Sequence, residues 1–400
     1  MNHEEALLTV GFNALQNRLL LVSGLSFAAC TTQLLLPSIL FPLISGNLSR
    51  LGHLSASLFG GEIVGALTFS RVSDLKGRKH ALLLANALLC LFSCLYTQDT
   101  LFCLFRFLTG VGVGGCLSLE FSYCMEMIPA EMRRSKGTLI SLLGIGGLAY
   151  LALISRLTDD PSFVVALTGL PFILIFLLRL IWSVESSGWL YSQGRLEECE
   201  RVLSRINPVV RVKLNKPCEI KASNTGLNSK DIVFGSLILA CHSTAYYGLT
   251  NWRWKIAEVA GFKKASPGIT LLLTALFEVP GLFFTQNFIS KRQKMLLVLN
   301  LVSAVIFSSA TLFSCNQTFF IFLSSLTYFW IVGIWTCLYV LIPLKFPIET
   351  RTRSFAVCKS FARVASFGSS FLIPRLSATS MMGVFVSLWL FATILTSFYF

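Results

Sequence analysis

The chain has 400 residues, 54% of them hydrophobic and only 13% charged, with a mean hydropathy of +0.71 and a net charge of +14. Soluble domains carry about 25% charged residues. This composition therefore excludes an ordinary soluble enzyme and, with its repeated apolar runs of about 20 residues, indicates a polytopic helical membrane protein.

In chain order, "MNHEEALLTVGF" has no basic start before its first apolar run, so the first helix reads as a retained anchor rather than a cleaved signal. Twelve apolar spans follow, near 18–45, 55–72, 80–98, 101–125, 137–156, 162–183, 231–250, 267–289, 295–314, 318–343, 354–375 and 381–400. They are too long for barrel strands, which alternate over about 10 residues. The longest gap divides them six and six. It predicts an N-terminal six-helix bundle over 1–183, a cytoplasmic central loop over 184–230 and a C-terminal six-helix bundle over 231–400. In that loop, "LEECERVLSRI" (196–206) puts Leu196, Cys199, Leu203 and Ile206 on one face of a short amphipathic helix. The 12 Cys fall mostly inside spans with no C-x-x-C pair, so they read as small buried hydrophobes, not a disulfide or metal framework.

An even number of spans puts both termini on one side. Loops on that side hold 21 of the 33 Lys and Arg, among them Arg71, Lys76, Arg78, Lys79, Arg133, Arg134 and Lys136. The opposite loops hold seven: Arg50, Arg156, Arg253, Lys255, Lys263, Lys264 and Arg375. The positive-inside rule makes the first side, with both termini, cytoplasmic. The charge excess is thus a topology signal, and no nucleic-acid partner is expected. Sequons at Asn47 and Asn316 both fall on the outer side.

The halves echo each other. "PAEMR" at 129–133 returns as "PIETR" at 347–351, "EIVG" at 62–65 as "EVPG" at 278–281, and "GRK" at 77–79 as "RQK" at 292–294, at offsets of 218, 216 and 215. Near-equal offsets in loops of matching topology argue for duplication of a six-helix unit, a recurring transporter design. The turn "RVSDLKGRKH" (71–80) joins spans 2 and 3. Gly77 permits a tight turn. Arg78 and Lys79 can reach lipid phosphates or helix C-termini. Asp74 can pair with basic groups or cap a neighbouring helix N-terminus, contacts that form in one conformational state and break in the other.

These motifs resemble the major facilitator superfamily. The D-x-x-G-R-[RK] loop is matched by Asp74, Gly77, Arg78 and Lys79, and R-x-x-x-G-x-G-x-G by Arg106, Gly110, Gly112 and Gly114. "VESSGWLYSQGRLEE" is similar to the E-S-P-R-W-L-x-x-x-G-R-x-x-E stretch of sugar porters, organic ion transporters and synaptic-vesicle-like transporters, through Glu185, Ser186, Trp189, Leu190, Gly194, Arg195 and Glu198. "FEVPG" resembles the E-[IV]-P-G of the last two branches, and the N-terminal segment resembles the synaptic-vesicle-like branch most. The resemblance implies an all-α integral membrane fold of twelve helices in two pseudo-repeated bundles, working by alternating access. It departs at Ser70, Leu75, Ser187, Gly188, Ile289 and Arg292, and Cys30 and Gln33 stand where the synaptic-vesicle-like branch carries acids.

No bond-making constellation is present, so the chain is not expected to be an enzyme or to hold a cofactor or metal. "GVGVGG" (110–115) lies mid-span with no preceding strand and reads as a helix-packing surface. Intramembrane ionisable groups are costly and point to function. Lys359 and Arg363, spaced i, i+4, share a helix face and either hold an anionic substrate group or serve packing. Glu62, Glu120 and Glu278 are the intramembrane acids. Glu62 could carry a proton, while Glu120 and Glu278 are expected to partner the bases of spans 4 and 11. Arg106 reads as a gate partner and His242 as a packing residue. Glu126, Arg133 and Glu185 join the gating candidates. Tyr246, Tyr247, Trp252 and Trp254 read as an interfacial aromatic belt, with an outer gate or substrate cavity as the alternative.

The favoured reading is a monomeric solute transporter in the plasma membrane or an intracellular vesicle membrane, touching lipids and a small organic anion or zwitterion. Substrate-binding candidates are Lys359, Arg363, Glu278, Gln33, Tyr246 and Tyr247. The alternatives are a sugar or neutral-solute facilitator using Gln33, Asn300 and Gln286, and a non-transporting receptor or scaffold that kept the fold.

Overall fold

The computed structural model describes residues 1–44, 48–98, 100–216, 229–259, 267–289, 292–313, 316–346 and 351–400. The helices in chain order are α1 (His3–Val10), α2 (Ala14–Leu35), α3 (Pro37–Leu40), α4 (Leu48–Lys76), α5 (Arg78–Phe92), α6 (Leu101–Glu126), α7 (Arg133–Leu157) and α8 (Pro161–Trp182). They continue as α9 (Ser187–Ser192), α10 (Leu196–Ile206), α11 (Ser229–Val259), α12 (Pro267–Phe288), α13 (Gln293–Ala310), α14 (Gln317–Leu344), α15 (Arg351–Leu372) and α16 (Ala378–Tyr399). Among the described residues, twelve helices have fifteen residues or more, matching the twelve spans. Nine are long and apolar enough to cross a membrane by length and composition. The exceptions, α4, α5 and α15, carry much of the charge discussed below.

The apolar composition is used on two sides. On α8, Phe172, Ile175 and Arg179 are buried, while Leu170, Ile173, Leu174, Leu177, Leu180 and Ile181 face outward. An apolar exposed stripe on a long apolar helix is what a hydrocarbon environment requires.

Packing divides the chain into two units. The first comprises Met1–Gln33, Gly61–Gly147 and Val165–Lys221. Its core includes Leu20, Cys124, Ile128 and Ile140, with Phe12, Phe27, Met125 and Met132 against them. Here α4 and α6 touch backbone to backbone. A Cβ at Gly61 or Gly65 would collide with the main chain of Phe107 or Val111, and one at Gly114 with the carbonyl of Glu62. The run 110–115 is therefore a close-packing surface, as its small residues predict.

The second unit comprises Leu34–Gly60, Leu148–Val164 and Ala222–Phe400. Within it α11 packs along α15 and α16, and α14 along α12 and α13. Phe41 and Trp252 pack with ring centres 5.2 Å apart and planes tilted by 49°, tying α11 to the chain just after α3.

Three expectations change. The first span breaks at Pro37, which cannot donate an amide hydrogen, so α2 ends and α3 restarts. The seventh runs to Val259, so Arg253 and Lys255 lie in a helix and not in an outer loop, and Arg253 is only 6% exposed. A helix also forms at His3–Val10, where none was expected. Asn2 and Glu5 close a capping box at its start, each side chain bonding the other's amide at 2.9 Å. The amphipathic helix forms as read, Leu196–Ile206, with Cys199, Val202, Leu203 and Ile206 buried. Asn47 and residues 347–350 of the second P-x-E-x-R lie outside the described residues. Asn316 caps α14, accepting the amide of Phe319 at 3.0 Å.

Candidate substrate and gating sites

The 71–80 turn is built around one carboxylate. Gly77 adopts φ 97°, a conformation that favours glycine, and any Cβ there would run into Glu185. The chain then enters α5, whose first amides have no helical partner. Glu185 Oε1 supplies one, accepting the amides of Arg78 at 2.8 Å and Lys79 at 3.1 Å as well as Ser186 at 2.9 Å. An acid at a helix N-terminus also meets the favourable end of the helix dipole.

Arg78 fans out from the same point. Its Nη1 donates to Ser73 Oγ at 2.9 Å and Asp74 Oδ1 at 2.8 Å, and its Nη2 to Glu126 at 3.2 Å. Glu126 in turn accepts the hydroxyl of Ser186, which caps α9. Trp189 donates its indole N–H to the Asp74 carbonyl at 3.2 Å. Arg133 binds the carbonyls of Met125 and Ile128 at 2.9 and 3.0 Å, closing the end of α6. The sequence thus brings Asp74, Gly77, Arg78, Lys79, Glu126 and Glu185 into one network, with Arg133 beside it. The weight falls differently from the sequence reading. The Asp74 side chain is 74% exposed, and an exposed i, i+4 pair contributes about 0.3–0.5 kcal/mol. Glu126 and Glu185 are the more enclosed partners.

The departure from the family pattern at 187–188 has a local reason. Ser187 Oγ meets His3 Nε2 at 3.0 Å, and a Cβ at Gly188 would press on the Glu126 side chain. His3 also stacks on Tyr191 with ring centres 5.6 Å apart, Glu4 pairs with Arg133 at 2.6 Å, and Asn207 donates to the Val10 carbonyl at 3.1 Å. Together these contacts strap α1 onto α9 and α10. Burial holds the His3 imidazole below its ordinary value; Glu4 pulls it up and Arg133 pushes it down. A depressed folded-state value means that protonation favours release. The strap is expected to be fully formed above about pH 6.5 and to loosen as pH falls below it. Limited proteolysis near Val10 should therefore accelerate between pH 7 and 5.5, and His3→Gln should flatten that dependence.

In the first unit's apolar interior, Arg106 binds Gln33 twice, through its amide oxygen at 2.8 Å and its backbone carbonyl at 2.9 Å. The Gln33 amide nitrogen reaches Thr168 at 3.3 Å. Gln33 is therefore an internal brace, fully buried. Glu120 is buried as well, and its partner is not a base of span 4 or 11. Arg179 of α8 donates to it at 2.5 Å, both side chains 1% exposed or less. Arg179 escaped the sequence reading because it sits in an apolar run 59 residues away. Glu62 is 3% exposed, at the α4–α6 contact.

In the second unit a run of aromatic rings connects three helices. Tyr246 and Tyr247 of α11 meet edge to face at 5.0 Å, and both approach Trp335 of α14, at 5.9 and 6.5 Å. Trp335 continues to Tyr339 at 5.8 Å, and Tyr339 to Phe355 of α15 at 5.3 Å. The two tyrosines are 8% exposed, so they are an internal cluster and not an interfacial belt. Trp252 is likewise buried. His242 packs edge-on to Trp335 at 4.6 Å, and its Nδ1 accepts the Trp389 indole N–H at 3.2 Å.

The two α15 cations lie along this run. The Arg363 guanidinium sits 5.0 Å from the Tyr247 ring centre, and Lys359 Nζ lies 5.6 Å from Tyr339 and 5.5 Å from Phe355. Both are half-buried. Glu120 is paired instead with Arg179. Glu278 itself is 4% exposed on α12. Among the described residues no group of His, Cys, Asp or Glu has the arrangement to hold a metal ion.

Residues 19–370 match the Major Facilitator Superfamily. The chain belongs to that family. It is 25% identical over 367 residues to YdjK of Escherichia coli (strain K12), named for metabolite transport, covering 84% of this chain and 79% of that one. It is 34% identical over 154 residues to solute carrier family 22 member 7 of Sus scrofa, covering 38% of this chain and 28% of that one. The transporter therefore spans well under two thirds of the solute carrier's length. Its fold is similar to the partially occluded, inward-open xylose transporter XylE of E. coli, with a TM-score of 0.75 at 17% identity, covering 95% of this chain and 98% of that one. Family, helices and fold together make this a multi-pass membrane transporter.

Proposed function

We propose that this transporter moves a small organic anion or zwitterion by alternating access, as a monomer of two six-helix halves (1–183 and 231–400) with both termini cytoplasmic. The observation that carries this reading is the pair Lys359 and Arg363, one turn apart on α15 and laid along an aromatic run. A guanidinium over an aromatic face can turn the edge of its fork toward a carboxylate. The adjacent rings suit an apolar substrate body. The alternative is a sugar, the solute named for XylE. It is weakened because the Gln33 amide is tied to Arg106 and Thr168. A receptor role is the second alternative, and monosaccharide-sensing protein 1 of Arabidopsis thaliana is 31% identical over 158 residues.

Uptake by purified protein in lipid vesicles tests this, using labelled benzoate, its neutral amide and xylose. Benzoate uptake is expected to exceed that of the amide. Arg363→Ala is expected to weaken benzoate by about 1.5–3 kcal/mol, the scale of a hydrogen bond to a charged group, with Tm nearly unchanged. A fall in Tm with equal loss for every solute would assign the pair to packing.

A further inference from the structure

The start of α13 and the end of α16 carry a feature that neither the substrate site nor the gating network uses. The two helices pack on each other. Between them lies an open groove of about 590 Å³. It is lined by Arg292 at the N-cap of α13, by Gln293, Lys294, Met295 and Val298 of that helix, and by Ser397 of α16. The volume falls within the about 300–1,000 Å³ of small-molecule sites.

The groove is basic at one end and apolar along its length. Arg292 and Lys294 are both exposed, and among the described residues that line the groove none is acidic. Lys294 Nζ donates to the Ser397 carbonyl at 3.1 Å, which uses one of the three ammonium hydrogens. Arg292 Nη1 reaches Met295 Sδ at 3.8 Å, a weak acceptor, and the rest of its fork is left for a stronger one. Away from these cations, helical spacing puts Val302 in line with Met295 and Val298, and puts Ile394 and Leu390 in line with Ser397. Met295, Val302, Ile394 and Leu390 are all exposed, so an apolar stripe leads from the groove along both helices.

We propose that this groove binds an anionic phospholipid, with its phosphate held by Arg292 and Lys294 and an acyl chain laid along Met295, Val298, Val302 and Ile394. The guanidinium fork fits phosphate oxygens in pairs, and the ammonium adds a point charge. Two exposed cations hold a soluble phosphate weakly, because water and salt screen them. The apolar stripe favours an anion that carries a chain. On the topology proposed above the groove opens to the cytoplasmic leaflet, where anionic lipids collect and basic pockets between membrane helices hold their head groups. A lipid seated there touches both α13 and α16, so its occupancy is linked to the stability of the second unit.

The test uses the full chain purified in neutral detergent. Thermal unfolding is followed while phosphatidylglycerol or phosphatidylcholine with the same acyl chains is titrated in. Phosphatidylglycerol is expected to raise Tm saturably, by about 3 °C at a hundred times its dissociation constant, and phosphatidylcholine to leave it level. Arg292→Gln/Lys294→Gln should remove the difference between the lipids. Met295→Glu keeps both cations but puts a negative charge in the groove, and should weaken the phosphatidylglycerol midpoint roughly tenfold, the scale of losing a hydrogen bond to a charged group. It serves if the double variant does not fold. Arg205→Gln removes an exposed cation of α10 and should leave the lipid response intact. Equal Tm in the two lipids for the unmodified chain would overturn the proposal, as would an undiminished response in the groove variants or an equal loss in Arg205→Gln. Glycerol 3-phosphate should give no shift, and a shift matching that of the lipid would assign the groove to free phosphate instead. Neither transport nor sidedness enters the readout, so failure here is distinct from failure of the proposed function.

Discussion

Replacing Arg179 with methionine is expected to destabilise the transporter by about 3–5 kcal/mol, the cost of leaving one member of a buried ion pair without the other. Arg179 and Glu120 are 1% and 0% exposed, and each relieves the other's desolvation through a bond of 2.5 Å. Without the guanidinium, the Glu120 carboxylate stands in an apolar interior, with Oε2 already lacking a donor. The double variant Glu120→Leu/Arg179→Met should recover most of the loss, because apolar residues of similar volume often replace a buried pair at little cost. Thermal unfolding of the two single variants and the double variant checks this as a cycle. A double variant as unstable as the sum of the singles would show that each residue acts through other contacts.

The second large effect is expected at the α4–α6 crossing. Gly65→Val places a branched side chain where the Val111 carbonyl already touches the glycine. Backbone cannot step aside as a flexible side chain can, so the helices must separate. A loss of about 3 kcal/mol, the upper end of ordinary overpacking, is expected, together with loss of the small-residue contact that holds membrane helices together. Gly146→Ala is the control. A Cβ there meets nothing within 4 Å, and the added methyl favours the helix. Monodisperse protein recovered from detergent should fall sharply for the first variant and stay level for the second. Equal recovery would mean that the crossing tolerates separation.

Local periodicity and spacing were enough for the long helices, for α10 at its observed bounds and for the role of the 110–115 glycines. The reason is that hydrophobic period, small-residue runs and turn glycines act over a few residues. The 71–80 network was also legible in outline, because Asp74, Gly77 and Arg78 are close in sequence.

What the sequence could not carry was which distant groups meet. Glu185 capping α5 spans 107 residues to Arg78, and Glu120 finds Arg179 across 59. Arg253 looked like a loop residue because "NWRWK" is polar for a span, yet its helix continues and turns it inward. The α1 strap depends on Ser187 meeting His3 across 184 residues. Composition and period decide that a chain forms membrane helices, since each helix satisfies its own backbone. The pairing of buried charges is decided only when helices pack, because each polar group must then find its partner on whichever helix packing brings alongside.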